Sequence, residues 1–432
     1  MKRKIYDNLL KWKNSIDRKP LILQGARQVG KTYIVNSFGN NEYSNVIYIN
    51  FERDEEIISI FSSLNPHSII PKLANYKRKE ILPKHTLIIF DEIQACPKAL
   101  TSLKYFNEEA NDYHIIALGS LLGVAVNRKF ASFPVGKVQL MTMYPMDFEE
   151  YLIAKEELFL IEEINNCFEN NIQMDNVFHE KAMQLYKEYL LIGGMPGVVS
   201  DYLNNNIFDL ARNKQLEILE AYQNDMNKYN SSTDIPKTRQ AYKSIGVQLG
   251  KENKKFQYRV IKSGGRAKEF ENAIEWICMA GIGIQNFRIE QIMLPLEAYK
   301  SSNDFKFYMS DVGLCCAGMD IHFDDIYFDN ELINNFKGGL TENYVMNQLL
   351  INGLKTYYWT SASQAEIDFI IRLKDDIIPI EVKSNDNVRS RSLSVYKQRF
   401  NPIFSVRISS KNFGYENGIK SIPLYAVFCI KN

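Results

Sequence analysis

The sequence predicts an α/β protein in which a doubly wound parallel sheet comes first and further domains follow. Three observations lead to this prediction. The length of 432 residues exceeds what one compact core accommodates and favours two to four domains. In the first 150 residues, continuous apolar runs alternate with helical stretches, as in parallel sheets. After Gly338 the pattern changes to a helix followed by short strands.

The composition indicates a globular protein of a reducing compartment. Hydrophobic residues make up 45% of the chain and charged residues 24%, and the net charge is +1. Any nucleic-acid binding must therefore come from a local basic patch. The six cysteines form no CxxC pair, which argues against zinc and disulfide scaffolds and predicts a cytoplasmic location. We expect neither a signal peptide nor a membrane segment, because no suitable apolar run occurs.

The first element with chemical meaning is the octapeptide GARQVGKT, which matches the phosphate-binding pattern G-x-x-x-x-G-K-[ST] in full. An apolar run, Leu21–Leu23, precedes it as a predicted strand, and a helical run beginning at Tyr33 follows. The residues expected to bind ATP are Gly25, Ala26, Arg27, Gln28, Val29, Gly30, Lys31 and Thr32. Lys31 would reach the β- and γ-phosphates, and the Thr32 hydroxyl would hold Mg²⁺. The helix dipole would favour the same anion.

A second apolar run, Leu87–Phe90, ends in two acids, as a strand buried on both faces would. Asp91 is predicted to bind Mg²⁺, and Glu92 is predicted to orient and deprotonate the attacking water. The alternative is an ordinary strand that ends in solvated acids. The phosphate-binding motif some sixty residues upstream favours the catalytic interpretation.

Two further strands are predicted for the same sheet. One is INFER, Ile49 to Arg53, and the other is YHIIALGS, which ends at Ser120. Ser120 is the candidate sensor beside the γ-phosphate, or else a polar residue that starts a loop. Alternating strands and helices place the nucleotide at the carboxyl ends of the strands.

The middle of the chain is predicted to be helical up to about residue 230. Two amphipathic helices follow, IPKTRQAYKSIGVQLG and AKEFENAIEWICMAGI, and then the strand-like segments IQNFRIEQI and FKFYMSD. Helices followed by short strands suggest a winged-helix-like module. The segment between the helices, KENKKFQYRVIKSGGR, would contact DNA phosphates or form a solvated basic loop.

The C-terminal stretch AEIDFIIRLKDDIIPIEVKS predicts a hairpin with KDD at the turn. If Leu373 pairs with Asp376, the two-residue period of strands places Asp368 opposite Glu381. Lys383 shares the face of Glu381. This face is either the site of a metal-dependent nuclease or the solvated side of a half-buried hairpin.

In the nuclease interpretation, Asp368 and Glu381 bind Mg²⁺, and Glu342 on the preceding helix completes the metal ligands. Lys383 would position or deprotonate the attacking water. The pattern D-x₁₂-E-x-K alone is weakly specific, and Glu342 in the right order strengthens it.

The segments LQGARQVGKT, LIIFDEIQACP, LGSLLG and VGKVQLMTMYPMDFEEYL resemble prokaryotic AAA-type ATPases that carry a C-terminal domain resembling PD-(D/E)XK nucleases. The resemblance continues through GGRAKEFENAIEWICMAGI, FKFYMSDVGL and GGLTENYVMNQLL, and so covers nearly the whole chain. In one place the chain departs from the family, because Gly136-Lys137 replaces Gly-Arg. An arginine there would serve as a finger or sensor on the γ-phosphate; lysine lacks the planar fork of arginine, so the resemblance leaves that role open at Lys137.

The resemblance and the patterns together imply four regions. These are a P-loop AAA-type ATPase domain (1–150), a helical lid or linker (151–232), a winged-helix-like module (233–325) and a PD-(D/E)XK nuclease-like domain (326–432). The implied ligands are ATP and Mg²⁺, and the implied partners are DNA and further copies of the chain. Two hypotheses follow. In one, ATP hydrolysis drives an enzyme that cuts DNA; in the other, it drives a switch or scaffold that binds DNA or protein without cutting.

Overall fold

The computed structural model describes residues 1–120, 133–229, 233–328, 331–361, 365–384 and 391–432. Within these ranges, no helix has the length and apolar character needed to cross a membrane. The chain divides into two compact units. The N-terminal unit comprises Lys2–Tyr144 with Met279–Gly281, and the C-terminal unit comprises Met1, Pro145–Cys278 and Ile282–Asn432.

The N-terminal unit contains the predicted parallel sheet. Its strands are β1 (Leu21–Gly25), β2 (Asn45–Asn50), β3 (Thr86–Asp91), β4 (His114–Ser120) and β5 (Gln139–Met143). Its helices are α1 (Ile5–Lys13), α2 (Lys31–Glu42), α3 (Pro66–Lys77) and α4 (Pro97–Glu109). The strand order is β2-β3-β4-β1-β5, and every neighbouring pair is parallel. The carboxyl ends of β1, β3 and β4 therefore meet at one edge of the sheet.

Strand β2 differs from its prediction at both ends. It spans Asn45–Asn50, whereas the sequence pattern placed the strand at Ile49 to Arg53. The Asn50 side-chain oxygen accepts hydrogen bonds from the backbone N–H groups of Glu52 and Arg53. This local turn competes with the sheet ladder and ends the strand. Strand β3, by contrast, is buried at all six positions, as predicted for a central parallel strand.

The first part of the C-terminal unit is helical, as the apolar periodicity predicted. Its helices up to Met279 are α5 (Phe148–Ala154), α6 (Leu158–Asn170), α7 (Asn176–Ile192), α8 (Pro196–Asn205), α9 (Phe208–Tyr229), α10 (Ile235–Leu249), α11 (Tyr258–Ile261) and α12 (Ala267–Met279). Helix α5 begins with a capping box, in which the Asp147 side chain and the Glu150 side chain each accept the other's backbone N–H. The predicted role of residues 151–232 as a lid over the nucleotide remains a prediction.

An eight-stranded sheet forms the rest of the C-terminal unit. Its strands are β6 (Gly283–Ile289), β7 (Lys300–Met309), β8 (Thr356–Thr360), β9 (Glu366–Leu373), β10 (Asp376–Val382), β11 (Ser405–Ser409), β12 (Gly414–Glu416) and β13 (Ile419–Pro423). The order is β12-β13-β11-β10-β9-β8-β6-β7. The accompanying helices are α13 (Val312–Gly318), α14 (Phe323–Tyr327), α15 (Asn334–Ile351) and α16 (Arg391–Phe400).

The strands of the predicted winged-helix-like module do not form a sheet of their own. Strands β6 and β7 follow three helices and pair in antiparallel fashion, as a winged-helix-like order requires. However, β6 also pairs in parallel with β8, which joins this hairpin to the sheet of the predicted nuclease-like domain. The sequence could not reveal this pairing, because the two strands are far apart along the chain and have no local signal in common.

The β9–β10 hairpin has the predicted register, since Leu373 pairs with Asp376 and Phe369 pairs with Ile380. Two acids of its polar face, however, are buried. The Glu381 residue is 2% exposed and Asp368 is 9% exposed. Helix α15 packs against β7, β8 and β10, and it brings Glu342 to this face. The alternative of a solvated hairpin surface is therefore wrong at these two positions.

Candidate functional site

The phosphate-binding loop connects β1, an interior strand of the parallel sheet, to helix α2. Gly30 caps α2 with a φ of +93°, a left-handed conformation that glycine adopts without strain. At Gly25, a Cβ atom would lie 2.3 Å from the carbonyl oxygen of Met143. Both motif glycines are thus required by the backbone, and the loop leads into the N-terminus of a twelve-residue helix.

Lys31 folds back over this loop. Its Nζ donates hydrogen bonds to the carbonyl oxygens of Gly25, at 3.1 Å, and Ala26, at 2.8 Å. Burial lowers the pKa of Lys31 to about 8, although Glu92 and Asp91 oppose this shift. The ammonium group therefore lies within the loop, at the place where a phosphate would supply a stronger counter-charge.

The Mg²⁺ residues predicted from the two motifs lie together. The Thr32 hydroxyl donates to Asp91 Oδ2 at 3.1 Å. Tyr48, on the neighbouring strand β2, donates to the same oxygen at 2.6 Å. Burial, followed by the hydrogen bond to Asp91, raises the pKa of Tyr48 to about 12, so the phenol stays a donor at neutral pH. Tyr48 was missed by the sequence analysis, because only its place beside β3 connects it to the site.

Glu92 follows the buried strand with a φ of +51°, an uncommon conformation for a residue other than glycine. Its backbone N–H donates to Asp91 Oδ1 at 2.9 Å, and its carboxylate accepts from Gln94. Burial raises the pKa of Glu92, against the opposing effect of the Gln94 hydrogen bond. A carboxylate with a raised pKa is a better proton acceptor, which suits the predicted role in deprotonating water.

Two further predictions concern the region after β4. Ser120 ends β4 and lies opposite Gly25 in the parallel register, but its side chain, like residues 121–132, lies outside the described part of the structure. Its sensor role remains a prediction. Lys137 forms an ion pair with Glu108, with 3.0 Å between Nζ and Oε1. The structure thus gives Lys137 a local partner within the N-terminal unit.

The residues of the N-terminal unit fit ATP and Mg²⁺. Gly25 and Gly30 allow the backbone path of the loop, Lys31 supplies a buried positive charge, and Thr32 and Asp91 already share a hydrogen bond. A hydroxyl and a carboxylate at this spacing are oxygen ligands of the kind that Mg²⁺ prefers.

Burial of Lys31 leads to a prediction about pH. A bound triphosphate favours the protonated ammonium, so binding should raise the lowered pKa of this lysine. We expect the Kd for ATP to be constant from pH 6.5 to 7.5 and to rise above pH 8, by up to about tenfold per pH unit. Calorimetric titration of ATP from pH 6.5 to 9.5 measures this. Lys31→Arg is the control. Any ATP binding that it retains should show no rise of the Kd above pH 8, because arginine stays charged. A wild-type Kd that does not change with pH would contradict the proposed contact of Lys31 with the phosphates.

The second candidate site is an acidic cluster in the C-terminal unit. Val382 donates its backbone N–H to Asp368 Oδ2 at 2.9 Å, which holds this carboxylate between β9 and β10. Lys383 Nζ lies 3.3 Å from Glu381 Oε1, while Glu381 Oε2 is buried without a hydrogen-bond partner among the described residues. The structure therefore pairs Lys383 with Glu381 and places Asp368 on the adjacent strand, hydrogen-bonded to the backbone N–H next to Glu381.

The cluster has a centre that the sequence analysis did not find. Lys306, on β7, has a side chain that is 1% exposed. Its Nζ lies 3.2 Å from Glu342 Oε2, 3.2 Å from Asp368 Oδ1 and 2.5 Å from Glu366 Oε1. The one local signal is its position between Phe305 and Phe307 in a strand, where a lysine directed to the opposite face needs a partner.

A second lysine contacts the same cluster. Lys254, from the basic segment between α10 and α12, pairs with Glu342, and Tyr308 donates to Glu342 Oε2 at 3.2 Å. Burial raises the pKa of Glu342, but Lys254 and Lys306 outweigh it and hold the pKa well below its usual value. Burial and then the negative charge of Glu342 raise the pKa of Asp368 to about 6. Among the described residues, no group of three His, Cys, Asp or Glu side chains is arranged to hold a metal ion.

Part of the basic segment serves the fold. Besides Lys254, Lys255 pairs with Asp304 at 2.5 Å, and Lys262 pairs with Glu269 at 3.0 Å. Exposed basic side chains in or beside this segment that take no part in these three ion pairs are Lys251, Arg259, Arg266 and Lys268. The positive patch is thus smaller than the sequence alone indicated.

The parallel sheet and the phosphate-binding loop of the N-terminal unit are those of a P-loop nucleotide-binding domain. Residues 17–152 match the model of a family described as an AAA domain. Residues 183–325 and 337–427 match two families that are each described as a domain of unknown function, DUF8612 and DUF4143. Comparison with curated proteins found no match.

Several solved structures are similar to this chain. A Walker-type ATPase of Pyrococcus abyssi, PABY2304, is 16% identical, with 74% of this chain and 95% of that chain covered and a TM-score of 0.45. The ORC1 protein of Aeropyrum pernix, solved in complex with DNA, is 12% identical, with 76% and 92% covered and a TM-score of 0.29. AMPPCP-bound DnaA of Aquifex aeolicus is 15% identical, with 64% and 86% covered and a TM-score of 0.28.

Proposed function

We propose that the protein is a Mg²⁺-dependent ATPase that acts on DNA through its C-terminal unit. The observation that carries the ATPase is the arrangement of Lys31, Thr32, Asp91 and Glu92 at one edge of the parallel sheet. Lys31 neutralises the β- and γ-phosphates, and the Glu92 carboxylate accepts the proton of the attacking water. Thr32 and Asp91 would hold Mg²⁺, which would stabilise the negative charge that develops on the phosphates. Tyr48 fixes the orientation of Asp91.

Two features support DNA as the partner. Helices α10, α11 and α12 followed by the β6–β7 hairpin have the element order of a winged helix, a fold that holds DNA in many proteins. Arg259 and Arg266 are exposed within this region and have the charge needed for phosphate contacts.

Alanine replacement of both arginines tests the DNA proposal. We expect Arg259→Ala/Arg266→Ala to bind a labelled duplex more weakly, and the slope of log K against log salt to fall by about two. Fluorescence anisotropy between 50 and 300 mM salt, with and without ATP, measures both quantities. Lys72→Ala, which removes an exposed lysine from the N-terminal unit, is the matched control. Equal slopes for the double variant and wild type would contradict the proposed contact.

A second candidate function is a nucleotide-dependent switch or scaffold whose C-terminal unit binds DNA or protein without cutting it. The position of Lys306 among the carboxylates favours this candidate over a nuclease. Incubation with plasmid and oligonucleotide DNA in Mg²⁺ or Mn²⁺, with and without ATP, separates the two. If the wild-type protein cuts DNA and Lys383→Ala does not, the nuclease is supported. If the wild-type protein cuts no DNA, the switch or scaffold is supported.

A further inference from the structure

The acidic cluster already contains its cations. Three carboxylates, from Glu342, Asp368 and Glu366, surround the Lys306 ammonium group, and Glu342 has Lys254 as a second ammonium partner. Glu381, the fourth carboxylate of this face, pairs with Lys383. Every carboxylate that the nuclease interpretation assigns to a metal therefore has a lysine partner within this chain.

The central lysine is fixed by its surroundings. Its strand, β7, pairs along its length with β6, where Lys306 lies opposite Asn286. The Asn286 side chain in turn donates to the backbone carbonyl of Asp368 at 3.3 Å, which ties β6 to β9 at the same level. The stem of Lys306 is enclosed, and its Nζ lies 5.4 Å from the centre of the Tyr358 ring. The ammonium group therefore reaches the cluster from a rigid, buried strand.

A divalent cation and this ammonium group compete for the same oxygens. Mg²⁺ binds oxygen at about 2.0–2.1 Å and demands near-octahedral geometry. The Lys306 ammonium already contacts Glu342 Oε2 and Asp368 Oδ1 at hydrogen-bond distances. Metal binding at the centre would require this lysine to leave a 1% exposed position and to lose three ion pairs. Expelling a paired charge from a buried site is unfavourable.

We infer that Lys306 is a built-in cation that replaces a divalent metal ion at the acidic cluster of the C-terminal unit. The inference concerns the carboxylates that the nuclease interpretation assigns to a metal, and it depends on neither ATP hydrolysis nor DNA binding. It assigns the cluster a metal-independent role, in which lysines 254 and 306 neutralise the carboxylates and fix helix α15 against strands β7 and β9.

Manganese titration of the nucleotide-free, full-length protein tests this inference. Free Mn²⁺, measured by electron paramagnetic resonance, should fall equally in wild type and in Asp368→Asn, since the cluster takes up no metal in either. The inference is overturned if wild type binds one or two Mn²⁺ ions that Asp368→Asn does not bind. This comparison needs no change at Lys306, so it holds even if variants of that lysine fold poorly.

A second variant tests whether Lys306 is the cause. Lys306→Met keeps most of the aliphatic stem and removes the charge. We expect it to bind Mn²⁺ at least about tenfold more tightly than wild type and to gain thermal stability when Mn²⁺ is added. Lys300→Met, on the same strand but outside the cluster, should behave as wild type. A folded Lys306→Met protein with unchanged Mn²⁺ affinity would show that the lysine does not exclude the metal. Neither result depends on ATPase or DNA assays.

Discussion

Glu92→Gln should bind ATP with nearly wild-type affinity and hydrolyse it about 10²- to 10⁴-fold more slowly, the range typical of a lost general base. The substitution keeps the size of the side chain but removes its ability to accept a proton. Binding should survive, because the contacts to phosphate come from the loop and Lys31, and the Mg²⁺ oxygens come from Thr32 and Asp91.

The experiment separates binding from chemistry. Equilibrium binding of a fluorescent ATP analogue gives the Kd, and release of inorganic phosphate under saturating ATP gives kcat. Lys31→Ala should lose binding itself. Glu109→Gln, which changes an exposed carboxylate on α4 of the same unit, should alter neither quantity. If Glu92→Gln turned over ATP at the wild-type rate, another group would have to serve as the base.

The nucleotide site could be predicted from the sequence because most of its geometry is local. Eight consecutive residues specify the loop, and the requirement for glycine at positions 25 and 30 follows from backbone constraints within the unit. Asp91 and Glu92 could be added because an apolar run of this length predicts a central strand, and parallel strands end at the same edge. Tyr48 could not be added, because it lies on β2, a strand that pairs with β3 but carries no recognisable motif.

The acidic cluster shows the opposite case. The hairpin register followed from the turn residues and the period of two, so Asp368 and Glu381 were correctly placed. Whether that face is solvated depends on helix α15 and strand β7, which no local pattern connects to the hairpin. Lys306 is 62 residues from Asp368, and Lys254 is 88 residues from Glu342. Nothing in the sequence indicates that Lys254, in a basic segment, and Lys306, in an aromatic strand, both pair with Glu342.

Lys306→Met should destabilise the C-terminal unit by about 3–5 kcal/mol, because it leaves buried carboxylates without their central cation. Burial by itself would lower the pKa of Lys306, but Glu342, Asp368 and the other acidic groups around it raise that pKa well above its usual value. The lysine is therefore charged in the folded protein at neutral pH. Lys300, at the start of the same strand, forms a partly exposed ion pair with Glu297. Its removal in Lys300→Met should lower the free energy of unfolding by at most about 1 kcal/mol.

Urea unfolding followed by tryptophan fluorescence measures the loss. Trp276 and Trp359 lie in the C-terminal unit and Trp12 lies in the N-terminal unit, so a Trp12→Phe background confines the signal to the unit of interest. Adding Glu342→Gln to Lys306→Met should restore part of the lost stability, because it removes one of the uncompensated buried charges. Additive losses in this cycle would mean that the two side chains act independently. A favourable coupling free energy between Lys306 and Glu342 would identify Lys306 as the cation that stabilises the cluster.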